Sequence, residues 1–252
     1  MEFALVALAS LLAGMVDSIV GGGGLILVPA LFAAYPGAPP ATMLGTNKSA
    51  SVWGTSVAAV QYSRRVPMRW AVVLPAAFAA LAGSVLGAWT VTQLDPGFLR
   101  KALPFILLGV LLYTLARKNL GDVHAPHLSP TAERAAACAI GAVLGWYDGF
   151  FGPGTGSLFI FLLVRVLGYD FLNASAAAKV LNAATNASAL VLFTVKGHVW
   201  WHIGVVLAVA NVAGSLIGSR LALRHGTGFV RGVFIVVVLS LVVKTGYDAF
   251  LR

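Results

Sequence analysis

The chain has 252 residues, 59% of them hydrophobic and only 10% charged, with a mean hydropathy of +0.90. A soluble domain carries about 25% charged residues, so this supply cannot cover a water-facing surface; the composition indicates an all-α, polytopic membrane protein. The net charge of +9, from 17 Lys/Arg against 8 Asp/Glu, then belongs to loop anchors on the cytoplasmic side and not to a nucleic-acid surface.

A β-barrel is excluded because runs such as Phe105-Ile-Leu-Leu-Gly-Val-Leu-Leu do not alternate. The single cysteine, Cys138, allows no intrachain disulfide and no cysteine metal cluster. The opening Met1-Glu2-Phe3 carries no positive run, so a cleaved signal peptide is not expected.

In chain order, apolar stretches run over 3–20, 24–34, 42–62, 70–92 and 98–116, then over 134–151, 155–167, 173–195, 200–223 and 229–251. Residues 119–133, polar and containing two Pro and two His, form a linker between membrane repeat 1 (1–118) and membrane repeat 2 (134–252). The repeat is visible as recurrence at a constant offset of 131. Gly14-x-x-Asp17 returns as Gly145-x-x-Asp148, Gly21-x-Gly23 as Gly152-x-Gly154, Lys48 as Lys179, Trp70 as Trp201 and Gly83-x-x-x-Gly87 as Gly214-x-x-x-Gly218. Duplicated halves with matching glycine breaks are the outline of a secondary transporter.

Phe3 to Ala34 is too long for one upright crossing, at about 48 Å, and too short for two. Four consecutive glycines, each costing a helix about 1 kcal/mol relative to Ala, break it into either a hairpin or a tilted, broken helix. Charge placement favours the hairpin, and with it inverted halves. Inversion puts ten Lys/Arg on one side (Arg64, Arg65, Arg69, Arg117, Lys118, Arg134, Arg165, Arg220, Arg224, Arg231) and five on the other (Arg100, Lys101, Lys196, Lys244, Arg252). Parallel halves give nine against six, a weaker bias. Both termini are therefore expected outside the cytoplasm.

Thr42 to Tyr62 and Asn173 to Thr194 are rich in Ser, Thr, Asn and Ala and are expected to face the interior. Stretches 98–116 and 229–251 are expected to face lipid or another subunit, so a homodimer is one arrangement they permit. The two Gly-x-x-x-Gly pairs read as packing devices that let helices approach closely.

The candidate site lies at the breaks. Gly21, Gly22, Gly23 and Gly24, and Gly152, Gly154 and Gly156, are expected to expose N–H groups at the start of half-helices, where partial positive charge favours an anion. Thr155 and Ser157 can add hydroxyl donors. Lys48 beside Asn47, and Lys179 with Asn182 and Asn186 on one helical face, lie inside their helices, where a cation costs at least about 2.5–3.5 kcal/mol and needs a partner or a role. Asp17 and Asp148 precede each break and read equally as functional groups (proton-coupling carboxylates or ion partners for the lysines) and as structural ones (a buried salt bridge or a cap on the half-helix that follows). His198 and His202 have the spacing of a metal pair but no nearby acid, so an interfacial belt with Trp200 and Trp201 is the stronger reading. No nucleotide motif occurs and no cofactor is expected.

Asp17-Ser-Ile-Val-Gly-Gly-Gly-Gly-Leu, Gly45-Thr-Asn-Lys48, Tyr147-Asp-Gly-Phe-Phe-Gly-Pro-Gly-Thr-Gly-Ser157 and Ala178-Lys-Val-Leu-Asn182 resemble the TauE/SafE sulfite exporter family, also called the toluene sulfonate uptake permeases. The resemblance spans almost the whole chain and is nearest to a widespread bacterial branch. It implies a multi-pass transporter of the bacterial inner membrane for small organosulfur or related anions, such as sulfite or sulfonates. With no nucleotide site, energy is expected from an ion or substrate gradient. The expected partners are the small anion and the lipid bilayer. The alternatives are a small-anion channel built from the same parts and, more weakly, an intramembrane enzyme using Ser157 and a histidine.

Overall fold

The computed structural model describes residues 2–91 and 121–250, together with Phe105, Leu108 and Leu112. The stretch 98–116 otherwise lies outside the described residues, as do the first two residues of the linker. The described helices are α1 (Glu2–Val20), α2 (Gly24–Ala34), α3 (Pro40–Ser63), α4 (Trp70–Val91), α5 (Pro130–Phe150), α6 (Thr155–Leu167), α7 (Phe171–Val195) and α8 (Trp201–Phe250). Four of them are long and apolar enough to cross a membrane: α1, α4, α7 and α8. Large apolar side chains on their outer faces, including Leu5, Phe78, Trp89 and Val209, are exposed, as lipid-facing residues are.

The opening segment is a hairpin. Gly21 and Gly22 take φ of 75° and 98°, and Gly152 and Gly154 both take 86°, a region open without strain to glycine alone. Gly23 then packs against Ala13 and Asp17 of α1. Ten residues of continuous helix would separate Gly23 from Ala13 by about 15 Å, so the chain has doubled back. The second hairpin closes the same way: Tyr169, just beyond α6, donates to Glu133 at the start of α5 at 2.7 Å.

Helices α1 and α3 pack against α8, while α4 packs along α5 and α7. Close approaches recur with both partners shifted by 131 and exchanged between halves. Gly14 lies on the Asn211 carbonyl and Gly145 on that of Ala80; Gly83 lies on Ala142 and Gly214 on Leu11. Ser84 donates to the Thr185 carbonyl (2.9 Å) and Ser215 to that of Gly54 (2.6 Å). A Cβ at any of these glycines would collide with the carbonyl it covers, so the Gly-x-x-x-Gly pairs are packing devices, as their spacing suggests.

Two ends of the bundle can be distinguished by contact. At one end, Arg69 after α3 meets Glu133 at 2.5 Å, Gly121 packs on Val164 and Phe171, Phe171 meets Phe234 with the rings tilted, and Arg231 pairs with Asp122 at 2.8 Å. At the other end, Tyr35 meets Trp200 edge to face and Thr42 lies 3.3 Å from His198. Helix α3, about 36 Å long at 24 residues, joins the two ends.

The C-terminal stretch departs from expectation. Gly226, with φ 73° and ψ −162°, bends α8 into two segments. Val230, Phe234 and Val238 of the second segment are buried in the core, while Val236, Leu239 and Val243 are exposed. One stripe of 229–250 therefore faces protein, because residues four apart share a helical face.

Candidate functional site

Helices α3 and α7 carry the interior polar residues. Thr46, Asn47, Lys48, Ser49 and Thr55 on α3, and Lys179, Asn182, Thr185 and Asn186 on α7, are all buried. These helices hold their polar faces inward because their neighbours approach on small residues. Their lysines reach across to the opposite half.

Lys48 Nζ donates to Asp148 Oδ2 at 2.6 Å and to Asn186 Oδ1 at 2.9 Å. Lys179 donates to the backbone carbonyl of Asp17, and its Nζ stands 3.9 Å from Asp17 Oδ2. The partners are related by the same shift of 131, yet only the first pair is in direct side-chain contact. Of the readings of the aspartates, the structure contains the ion pair, at Asp148, and a long cap-like contact from the Gly23 N–H, at Asp17.

A chain of polar contacts joins the pairs. Beyond Lys48, Asn186 Nδ2 donates to Thr55 Oγ1 at 3.3 Å. Thr55 Oγ1 in turn lies 3.3 Å from Asp17 Oδ2 and 2.8 Å from the Ser51 carbonyl, so its one proton serves one or the other. Asp17 Oδ1 accepts the N–H of Gly23 at 3.4 Å. Asp17 is thus held only by long contacts, and its side chain is 14% exposed where those of Asp148 and Lys179 are 3% and 0%.

Most of these groups border one partly open cavity. Its walls include Asp17, Asp148, Lys48 and the amides Asn47, Asn182 and Asn186; Gly22, Gly24, Gly152, Gly154, Thr155 and Gly156 complete the break side. The two breaks touch, since Gly21 and Gly156 lie backbone to backbone with no room for a Cβ on either. Asp170 caps α7 at Asn173 N, and Ser129 caps α5 at Ala132 N. Helices α2 and α6, beginning at the cavity, have no side-chain cap. Leu25, Ile26 and Thr155 already donate their N–H groups to the Gly22, Gly23 and Gly152 carbonyls, so the positive dipole ends and the N–H groups of the cavity-lining Gly24 and Gly156 are what these starts offer there. Ammonium, amide and backbone N–H donors converge, a set suited to a small oxyanion.

Several expected site residues lie elsewhere. Lys179 is fully buried behind the cavity and does not line it, although Asn182 and Asn186 do. Gly21 and Gly23 serve packing. Ser157 is fully buried and donates to the Val20 carbonyl at 3.0 Å, and Thr155 donates to the Gly152 carbonyl at 2.7 Å, so neither hydroxyl proton points to a ligand. His198 sits in the turn before α8, not on a helix with His202, so their spacing does not make a helical pair.

Ser51 and Thr55 were not singled out from sequence. The signal was present: they stand 131 before Asn182 and Asn186 and repeat the i+3, i+7 pattern from Lys48. The Arg69–Glu133–Tyr169 cluster was also missed. Burial, then the hydrogen bond to Glu133, raises the Tyr169 phenol above its usual range, keeping it a donor.

Helical hairpins of this kind, with half-helix ends and buried ion pairs shared between halves, define a polytopic membrane transporter. The chain belongs to the family described as Sulfite exporter TauE/SafE, whose pattern it matches over residues 6–245. It is 36% identical over 236 residues to a probable membrane transporter protein, ORF9, of Sinorhizobium, covering 94% of this chain and 89% of the relative. It is 35% identical over 243 residues to the probable membrane transporter protein YfcA of Escherichia coli (95% and 88%), and 32% over 240 residues to one of Haemophilus influenzae (94% and 91%). No solved structure gives a significant match. The protein is accordingly a multi-pass membrane transporter and not an enzyme.

Proposed function

We propose that this protein is an ion-coupled secondary transporter of small organosulfur or related anions, such as sulfite or sulfonates, in the bacterial inner membrane. The observation that carries the reading is the position of Lys48: its Nζ comes within 3.5 Å of where a Gly152 Cβ would stand, beside the uncapped start of α6 and inside the cavity. An anion there meets a cation, the half-helix dipoles and the amides of Asn47, Asn182 and Asn186 together.

Repeats 1–118 and 134–252 are inverted in this reading, with the linker end cytoplasmic. The contacts that gather Arg69, the linker, the start of α7 and Arg231 at one end support it, because most of the basic residues then share one side. The exchange of contacts between halves fits a two-fold axis lying in the membrane plane.

Thermal shift of purified protein against sulfite, sulfate, thiosulfate, sulfonates and carboxylates tests the substrate class. Stabilisation by sulfur oxyanions above carboxylates is expected. Stabilisation by carboxylates alone would remove the sulfur assignment.

A further inference from the structure

Among the described residues the charges at the site, with Asp17 only partly buried, sum to zero: Lys48 and Lys179 against Asp17 and Asp148. A bound monoanion leaves one net negative charge inside the bundle, which a membrane interior penalises. The dipoles of α2 and α6 offset that charge locally, but a dipole carries no net charge. The missing positive charge has to arrive with the anion.

From this, and resting on the anion-site reading above, we infer that each bound monoanion is accompanied by one proton, and that Asp17 takes it. Asp148 is an unfavourable acceptor, because its carboxylate already holds Lys48 at 2.6 Å. Asp17 lines the cavity and has no short cation contact. Among the described residues, the titratable and charged groups around it are Lys179, Tyr62, Lys48 and Asp148. Lys179 spends a donor on the Asp17 backbone carbonyl, an interaction that survives neutralisation of the side chain. Tyr62 donates to the Ser18 carbonyl and is not a partner of the carboxylate. A neutral Asp17 therefore leaves both lysines hydrogen-bonded: Lys48 to Asp148 or the anion, Lys179 to backbone. The matched sequence motifs make Asp17 and Asp148 look interchangeable; the geometry gives them different tasks. Asp148 competes with the anion for Lys48, and Asp17 carries the coupling proton.

The test is calorimetric titration of the full-length protein with methanesulfonate, which stays a monoanion from pH 5 to 8, in buffers of different ionisation enthalpy. The expected result is uptake of about one proton per anion in the wild type, with affinity rising up to tenfold for each unit fall in pH. Asp17→Asn is expected to bind without proton uptake and with a flat pH profile; the carboxyl C=O infrared band that appears on anion binding is expected to shift in Asp17→Glu and to stay in place in Asp148→Glu. Asp17→Ser serves the same purpose should the Asn variant not fold, and the wild-type proton count needs no variant. Wild-type binding without proton uptake, uptake kept in Asp17→Asn, or a carboxyl band that shifts in Asp148→Glu but not in Asp17→Glu would overturn the inference while leaving the anion site standing. Failure of methanesulfonate, sulfite and sulfate all to bind would remove the site reading itself, and this inference with it.

Discussion

Lys48 and Asp148, one from each half of the chain, meet at 2.6 Å inside the bundle, and the same lysine also donates to Asn186. Burial makes the pair asymmetric in its consequences. Keeping both partners is tolerable, whereas removing one leaves an uncompensated charge that typically costs about 3–5 kcal/mol.

Lys48→Met should therefore lower the unfolding free energy by about 3–5 kcal/mol, and Lys48→Met/Asp148→Asn should recover much of that loss. A double-mutant cycle on detergent-solubilised protein, read by chemical denaturation, checks it. Additive losses would mean that the two residues do not interact.

Glycines at the breaks should divide into two groups. A Cβ at Gly21 would enter the backbone of Gly156 at a position with φ of 75°, so Gly21→Ala should sharply reduce folded protein. A Cβ at Gly24 would meet nothing nearer than Pro153 Cα at 3.5 Å. Gly24→Ala should fold normally and weaken anion binding about tenfold by placing a methyl group in the cavity. Thermal melts and anion titration of both variants distinguish packing from ligand approach. Unchanged affinity in Gly24→Ala would move the anion away from α2.

In a Cys138→Ala background, cysteines at Arg65, Val123 and Arg224 should label from the cytoplasm, and cysteines at Gly37 and Gly197 from the opposite side. Impermeant maleimide on oriented vesicles gives the answer directly. Labelling of positions 65 and 224 from opposite faces would replace inverted halves by parallel ones.

Much of this was legible in sequence for identifiable reasons. Helix bounds followed from apolar runs punctuated by glycine and proline, so 24–34 and 155–167 coincide with α2 and α6. The hairpin was legible because 32 residues could be neither one crossing nor two. The cross-pairing of Lys48 with Asp148 was not, since nothing local in a sequence states which of two equivalent aspartates a lysine reaches. Only the exchange of helices between halves decides it. For the same reason Lys179 read as a site residue: its neighbours Asn182 and Asn186 do line the cavity, but the lysine points past them to the end of α1. Ser51 and Thr55 passed unnoticed because hydroxyl side chains are common on interior helices.

The most direct test of the central claim is flux. Purified protein in proteoliposomes, loaded with radiolabelled sulfite or a sulfonate, should exchange the anion saturably with external substrate. Lys48→Met, where shown to be folded, should reduce that exchange at least tenfold, since a hydrogen bond to a charged group contributes about 1.5–3 kcal/mol. Folded wild-type protein that exchanges none of the sulfur anions, or a Lys48→Met variant that exchanges them at the wild-type rate, would contradict the account.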